Sequence, residues 1–248
     1  MRNTACGHSR RARTAGWAEP FGTDPLRPRT RLEDGLVHGE KTAVPLGREA
    51  TAVLVPAVGP EGLVLAVVEG GTLVDEETTS GEPAATLLLE GVAPLAVLPA
   101  EAAVLAHQWT VVALAATQVG IASEALRRAA DHTSTREQFG RPLATFQAVA
   151  VRLGNAYIDV EALRSVAWQA AYRIDAGLPA TEEVATAAFW ACEAGERVAS
   201  SAVHLHGGLG VDTDYPLHRW FLASKQVELA LGGASRQLEV LGAALVPS

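Results

Sequence analysis

Cysteine is nearly absent from this chain. The two present, Cys6 and Cys192, lie far apart, and neither belongs to a CxxC pair or to a Cys/His set with metal-ligand spacing. That excludes a disulfide framework and a zinc module read from sequence, and it fits a reducing cytoplasm. Blocks of like charge are lacking as well. The formal charge of -8 is spread out, the sequence pI is near 5.4, and basic residues cluster only near the start. A nucleic-acid groove or an anionic membrane surface is therefore not the expected partner. Residues 1–16 hold many arginines but no apolar core of a secretory signal, so they read as a disordered lead-in or the remnant of a truncated segment. Internal repeats and low-complexity segments are also absent. The one stretch apolar enough to weigh as a membrane span, 102–122, is broken by His107, Gln108 and Gln118 and starts beside Glu101, so a buried core helix is the better reading.

What is present is apolar bulk. With 248 residues, 48% of them hydrophobic, the chain can bury one large core or two smaller ones. From residue 17 to 98, short Val/Leu/Ala runs such as Ala52-Val53-Leu54-Val55 and Leu63-Val64-Leu65-Ala66-Val67-Val68 alternate with Gly-Pro, Gly-Gly and Ser-Gly-Glu-Pro. That spacing predicts a small antiparallel β-domain. After Pro99 the period becomes helical, which places a domain boundary at 98/99 and a four-helix bundle over 99–248. The first helix is expected over 101–132 and the second from 142–146 to 175. The third is entered at Thr181 with Glu182 and Glu183 against its positive end. The fourth is expected over 216–245, with Gly232-Gly233 as an interruption. The fold class is thus α+β, a β-domain followed by an antiparallel bundle.

Three ordered motifs lie in the second half: Arg136-Glu137-Gln138-Phe139-Gly140 with Phe146-Gln147, then His204-Leu205-His206-Gly207-Gly208-Leu209-Gly210, then Tyr215-Pro216-Leu217-His218-Arg219. The first puts a cation, an amide, a ring and a glycine turn within five residues, a mixture suited to gripping an anion that carries a flat ring. Read singly, Arg136 could cap a helix and Gly207–Gly210 could be a helix stop. His132, His206 and His218 lack carboxylate or cysteine partners at metal-ligand spacing, so no metal site is read and they are expected at an interface or on the surface. Trp168 and Trp190 read as core or interface anchors.

Taken together and in order, these motifs resemble the C-terminal helical domain of the acyl-CoA dehydrogenase family. Upstream, Ala18-Glu19-Pro20-Phe21-Gly22-Thr23-Asp24 looks like the family's Thr-Glu-Pro-Gly-x-Gly-Ser-Asp segment, and Val37-His38-Gly39-Glu40-Lys41 resembles its Asn-Gly-x-Lys turn. The resemblance implies the family's middle strand domain and C-terminal bundle, with the preceding N-terminal helical domain missing. It also implies an FAD pocket shared across a subunit interface. Arg136 would pair with the pyrophosphate, Gln138 would hydrogen-bond near it, and Phe139 would pack on the cofactor. Gly207 and Gly208 would let the backbone approach, and His204 would stand where glutamine is usual.

The same resemblance marks losses. The family's catalytic glutamate position in the last helix is Gly232, and the alternative position on the first bundle helix aligns with Thr110; neither can remove a carbon-bound proton. Where Trp-Ile-Thr-Asn-Gly usually lies beside the flavin, this chain has Ala43-Val44-Pro45-Leu46-Gly47, and Ala234 and Arg236 replace the threonine and glutamine that follow the base. No catalytic residue is identified. The expectation is a non-catalytic or half-site subunit of a hetero-oligomeric dehydrogenase of fatty or steroid-like acyl-CoA thioesters, with FAD as shared cofactor. The partner would be another acyl-CoA dehydrogenase subunit, or a second copy in a dimer or tetramer. The rivals are an active homo-oligomer using Glu228 as a displaced base, and a structural homologue that binds no FAD.

Overall fold

The structure is a computed structural model that describes residues 12–22 and 24–246; Cys6 and Thr23 lie outside the described residues. The chain divides into two compact units between Val104 and Leu105.

The first unit is one twisted sheet. Its strands are β1 (Ala12–Ala15), β2 (Arg31–Glu33), β3 (Leu36–Pro45), β4 (Ala50–Gly59), β5 (Gly62–Val68), β6 (Thr72–Glu76), β7 (Ala84–Val92) and β8 (Pro94–Leu98). They run in the order β6-β7-β3-β2-β4-β5-β8, antiparallel except where β4 meets β2, with β1 paired in parallel to β4. Residues of β-branched or leucine type at alternate positions fill its core, among them Val37, Val44, Val53, Val55, Val68, Leu87 and Leu89. Beginning the strand domain at residue 17 is therefore too late for the described part. Ala12–Ala15 is already a strand, and Gly16 continues the pairing through its N–H to the Leu54 carbonyl at 2.9 Å. The sequence hides this because ARTA has no alternation of its own; its pairing with β4 places it.

The second unit is helical. Helix α1 (Ala100–Thr135) is followed by α2 (Gln147–Asp175), α3 (Thr181–His206), α4 (Leu217–Leu231) and α5 (Ala234–Leu245). The expected fourth helix is cut in two by Gly232 and Gly233, both at positive φ (81° and 83°), a conformation that favours residues without Cβ. By length and composition α1 could cross a membrane, and 33% of its most apolar window is buried; Val111, Val112, Ala115, Val119 and Ile121 belong to the bundle core. Alanine lets the helices approach closely: Ala187, Ala188, Ala191 and Ala194 of α3 are all buried. Beside them a Cβ on Gly195 would fall 1.9 Å from the Gln118 amide nitrogen of α1. That amide donates to Ser224 Oγ of α4 at 2.6 Å, a polar tie between buried side chains of two helices.

Candidate functional site

The segment between α1 and α2 is a miniature hairpin. Arg136 closes the last turn of α1 by donating its N–H to the His132 carbonyl at 2.8 Å. Strand β9 (Glu137–Gln138) then pairs with β10 (Arg141–Pro142), and the Leu143 N–H reaches the Arg136 carbonyl at 2.8 Å. The two turn residues, Phe139 and Gly140, have φ of 54° and 77°, the double left-handed geometry of a tight hairpin turn. Glycine takes this conformation without strain. Phenylalanine there costs about 1 kcal/mol, and its ring gains little burial in return, being 91% exposed with an edge contact to Phe146 at 6.2 Å. A strained turn that holds an aromatic ring out into solvent is suited to a ligand or partner outside this chain. The Arg136 guanidinium and the Gln138 amide are exposed too, and neither has a hydrogen bond or ion pair among the described residues. The Arg141 guanidinium instead covers the Phe146 ring at 4.0 Å.

The glycine segment closes α3. Gly207 turns the chain at φ 62° and ψ -141°, and a short 3₁₀ turn follows over Gly207–Val211. Its glycines differ in purpose. A Cβ on Gly210 would lie 2.7 Å from the Val203 carbonyl oxygen, so Gly210 serves packing. A Cβ on Gly207 or Gly208 would meet nothing within 4 Å, and both are exposed, leaving open backbone against which a bulky group can lie. His204, one turn earlier, is also exposed.

A ring contact brings these segments to one end of the bundle. The imidazoles of His132 (α1) and His206 (α3) stack at 4.2 Å with 20° between their planes, and His206 meets Tyr215 at 5.4 Å. His206 is buried, with Nδ1 hydrogen-bonded to the Ala202 carbonyl at 2.8 Å; His218 Nδ1 bonds the Tyr215 carbonyl at 2.7 Å. The surface or interface expected for these histidines is corrected for His206, which lies inside its own bundle. Burial lowers the His132 pKa below its ordinary value, reinforced by His206 and Arg136. Arg136, Gln138, Phe139, His204, Gly207 and Gly208 are thus exposed, and among the described residues the Arg136 guanidinium and the Gln138 amide have no hydrogen bond or ion pair.

The residues matching the upstream motifs make a structural lock. Glu19 Oε1 accepts from Lys41 Nζ (2.6 Å), Thr30 Oγ1 (2.6 Å) and the Thr30 N–H (3.1 Å), while Oε2 accepts from the Arg29 N–H (2.7 Å). The Lys41 and Glu19 side chains are 0% and 2% exposed. Burial pushes the Glu19 carboxyl up, but the bonds from Lys41, Thr30 and Arg29 outweigh it and hold the pKa at about 2. Gly39 is needed here, because its Cβ would lie 2.6 Å from Thr30 Oγ1. The motifs matched by resemblance carried no hint in spacing that Glu19 and Lys41 would meet. Downstream, the Ala43–Gly47 backbone is contorted, with Ala43 and Leu46 at φ of 50° and 51° and the Ala43 N–H bonded to Glu76 Oε2 at 3.1 Å. Its side chains offer neither an aromatic plane nor a hydroxyl.

The base positions are equally bare. Gly232 is the left-handed cap of α4, and Thr110 Oγ1 donates to the Ala106 carbonyl at 2.8 Å. Glu228 is tied to Lys225 Nζ at 2.9 Å, and Lys225 also pairs with Glu196. Cys192 is buried; burial first, then the charge of Glu228, pushes its thiol up to about 12, away from the reactive thiolate. On α2, Tyr157, Ile158, Trp168 and Tyr172 are 60%, 64%, 72% and 67% exposed. At 100° per residue they fall within about 100° of one helix face. Trp168 is therefore no core anchor of this chain, whereas Trp190 packs on the bundle core.

The acyl-CoA dehydrogenase C-terminal domain family matches residues 102–246. Acyl-CoA dehydrogenase FadE27 of Mycobacterium tuberculosis is 42% identical over 219 residues, which cover 82% of this chain and 59% of FadE27. Among solved structures, the ChsE4-ChsE5 complex from Mycobacterium tuberculosis superposes with a TM-score of 0.88 at 39% identity, covering 96% of this chain and 68% of that one. The Tcur3481-Tcur3483 steroid acyl-CoA dehydrogenase G363A variant gives 0.89 at 41% identity, covering 94% and 66%. The chain thus spans about three-fifths of the length of FadE27.

Proposed function

The chain belongs to the acyl-CoA dehydrogenase family, and from that premise we propose that it is the non-catalytic, half-site subunit of a hetero-oligomeric dehydrogenase. It completes the FAD pocket of a catalytic partner subunit that oxidises an acyl-CoA thioester at the α,β bond. One observation carries this reading. The groups with which a subunit serves a neighbour's cofactor (Arg136, Gln138, Phe139, Gly207, Gly208) are exposed, and the Arg136 guanidinium and Gln138 amide have no hydrogen bond or ion pair among the described residues, whereas the positions for its own chemistry hold Thr110, Gly232, Ala43 and Pro45. FAD, when bound, supplies the hydride acceptor. This chain's residues supply binding: a guanidinium fork for the pyrophosphate, an amide donor, an aromatic face and unobstructed backbone. Glu228 is not assigned as a displaced base, because Lys225 already engages it.

Two of the similar structures are two-component assemblies, one of them a steroid acyl-CoA dehydrogenase, which supports a second subunit and a bulky polycyclic acyl-CoA as substrate class. The aromatic face of α2 supports oligomerisation independently. We place the assembly in the cytoplasm. To test the assignment, the chain is co-expressed with an acyl-CoA dehydrogenase partner that retains the glutamate, and FAD per complex and turnover are measured. Arg136→Ala removes charge-assisted bonds of about 1.5–3 kcal/mol, so FAD should bind roughly 10- to 150-fold more weakly, with matching loss of turnover at limiting FAD. Unchanged flavin content in the variant overturns the assignment.

A further inference from the structure

The two segments that would grip the cofactor follow different helices, and the His132–His206 stack links the ends of those helices. His206 is 6% exposed, its Nδ1 is bonded to the Ala202 carbonyl, and its Nε2 is buried without a hydrogen-bond partner among the described residues. The groups facing His132 are the His206 ring across the stack and Arg136 one turn further along its own chain. Beyond His206 lies Tyr215, and His218 is bound to the Tyr215 carbonyl. The neighbouring charges of α1 are otherwise occupied: Asp131 pairs with Arg127, and Arg128 with Glu124. Among the described residues no carboxylate hydrogen-bonds either imidazole to compensate a proton there. A proton on His132 would place a cation beside Arg136, in a half-buried site with no carboxylate acceptor among the described residues.

We propose that His132 and His206 are a positioning pair that holds the arginine and glycine segments in register for FAD while the His132 ring is neutral, so that acidification loosens the half-site and releases the cofactor. This rests on the reading that the half-site takes FAD. The depressed pKa of His132 is consistent with it: the folded form favours the neutral ring, and stability is lost as the pH falls below the ordinary 6.5 toward the folded value. Neither ring touches the reacting atoms in this account. They act through Arg136, whose N–H caps the His132 carbonyl, and through Gly207, the next residue after His206.

The test uses the co-expressed complex, with free FAD quantified by fluorescence after ultrafiltration between pH 7.5 and 5.5. The wild type should weaken by about tenfold or more across that range, the factor corresponding to one pKa unit of differential binding. His132→Phe keeps an aromatic ring on His206 but removes the proton site, and should compress the change to less than about twofold. A wild-type complex with no pH dependence, or a His132→Phe complex that retains it, overturns the proposal. Histidine NMR of the full wild-type chain reads the stack without flavin. Loss of the His132–His206 ring contacts at pH 5.5, with the rest of the bundle intact, supports the pair, and contacts that persist overturn it. An Arg136→Ala complex that binds FAD normally rejects the cofactor reading alone, because the NMR arm still reports on the stack.

Discussion

At the scale of single residues, Glu19 and Phe139 show how differently two motif positions are held. Glu19 has its carboxylate wholly satisfied inside the strand domain, so removing its partner leaves a buried, uncompensated charge. Lys41→Ala is expected to destabilise the protein by about 3–5 kcal/mol, read as a lowered urea midpoint at constant slope. The same site sets an acid limit. With its folded pKa held at about 2 against an ordinary 4.5, Glu19 stabilises the native state above pH 4.5, and that contribution drains away as the pH falls toward 2. A stability-pH profile in which Lys41→Ala flattens the slope between those values checks this. Phe139 is the opposite case, because it bears strain and loses little water. Phe139→Gly should leave the stability of the chain unchanged or raise it by up to about 1 kcal/mol, while lowering FAD content in the complex. A large loss of stability would show that the ring serves this chain's own fold.

At the scale of elements, the sequence was most readable where breakers and periods agree. Asp175 ends α2 where the glycine-proline signal indicates, whereas Thr181, expected as an N-cap, is the first residue of α3, and the cap position falls on Ala180, with no side-chain cap bond. The Gly232-Gly233 doublet does break the last helix, and its left-handed backbone gives the reason. Gly232→Ala should cost about 1 kcal/mol through strain at positive φ, seen as a lower thermal midpoint with unchanged helical circular dichroism. What stayed illegible depends on pairing between distant segments. The strand β1 is ordered by β4, the Glu19 carboxylate finds Lys41 across the sheet, and the two histidines meet only because α1 and α3 end side by side. Each of these residues looks ordinary in its own neighbourhood. The candidate site shows the same division: the composition of residues 136–140 was visible, whereas the positive φ of Phe139 and the lack of side-chain partners for Arg136 among the described residues required coordinates.

At the scale of the molecule, the chain is well packed in its cores and unfinished on its surface. The aromatic face of α2 is the clearest instance. If it is an assembly face, Trp168→Glu should shift the complex to a smaller species by light scattering, with the fold of the chain kept, because Trp168 packs in no core cluster of this chain. An unaltered mass would move the interface elsewhere. The account's central claim is that this chain binds FAD on behalf of a neighbour. Its most direct test is flavin stoichiometry of the co-purified complex with and without Arg136→Ala, beside the chain purified alone. The account predicts flavin in the wild-type complex, a marked loss in the variant, and none in the isolated chain. A yellow isolated chain that turns over an acyl-CoA, or a variant complex with its full flavin, would contradict it.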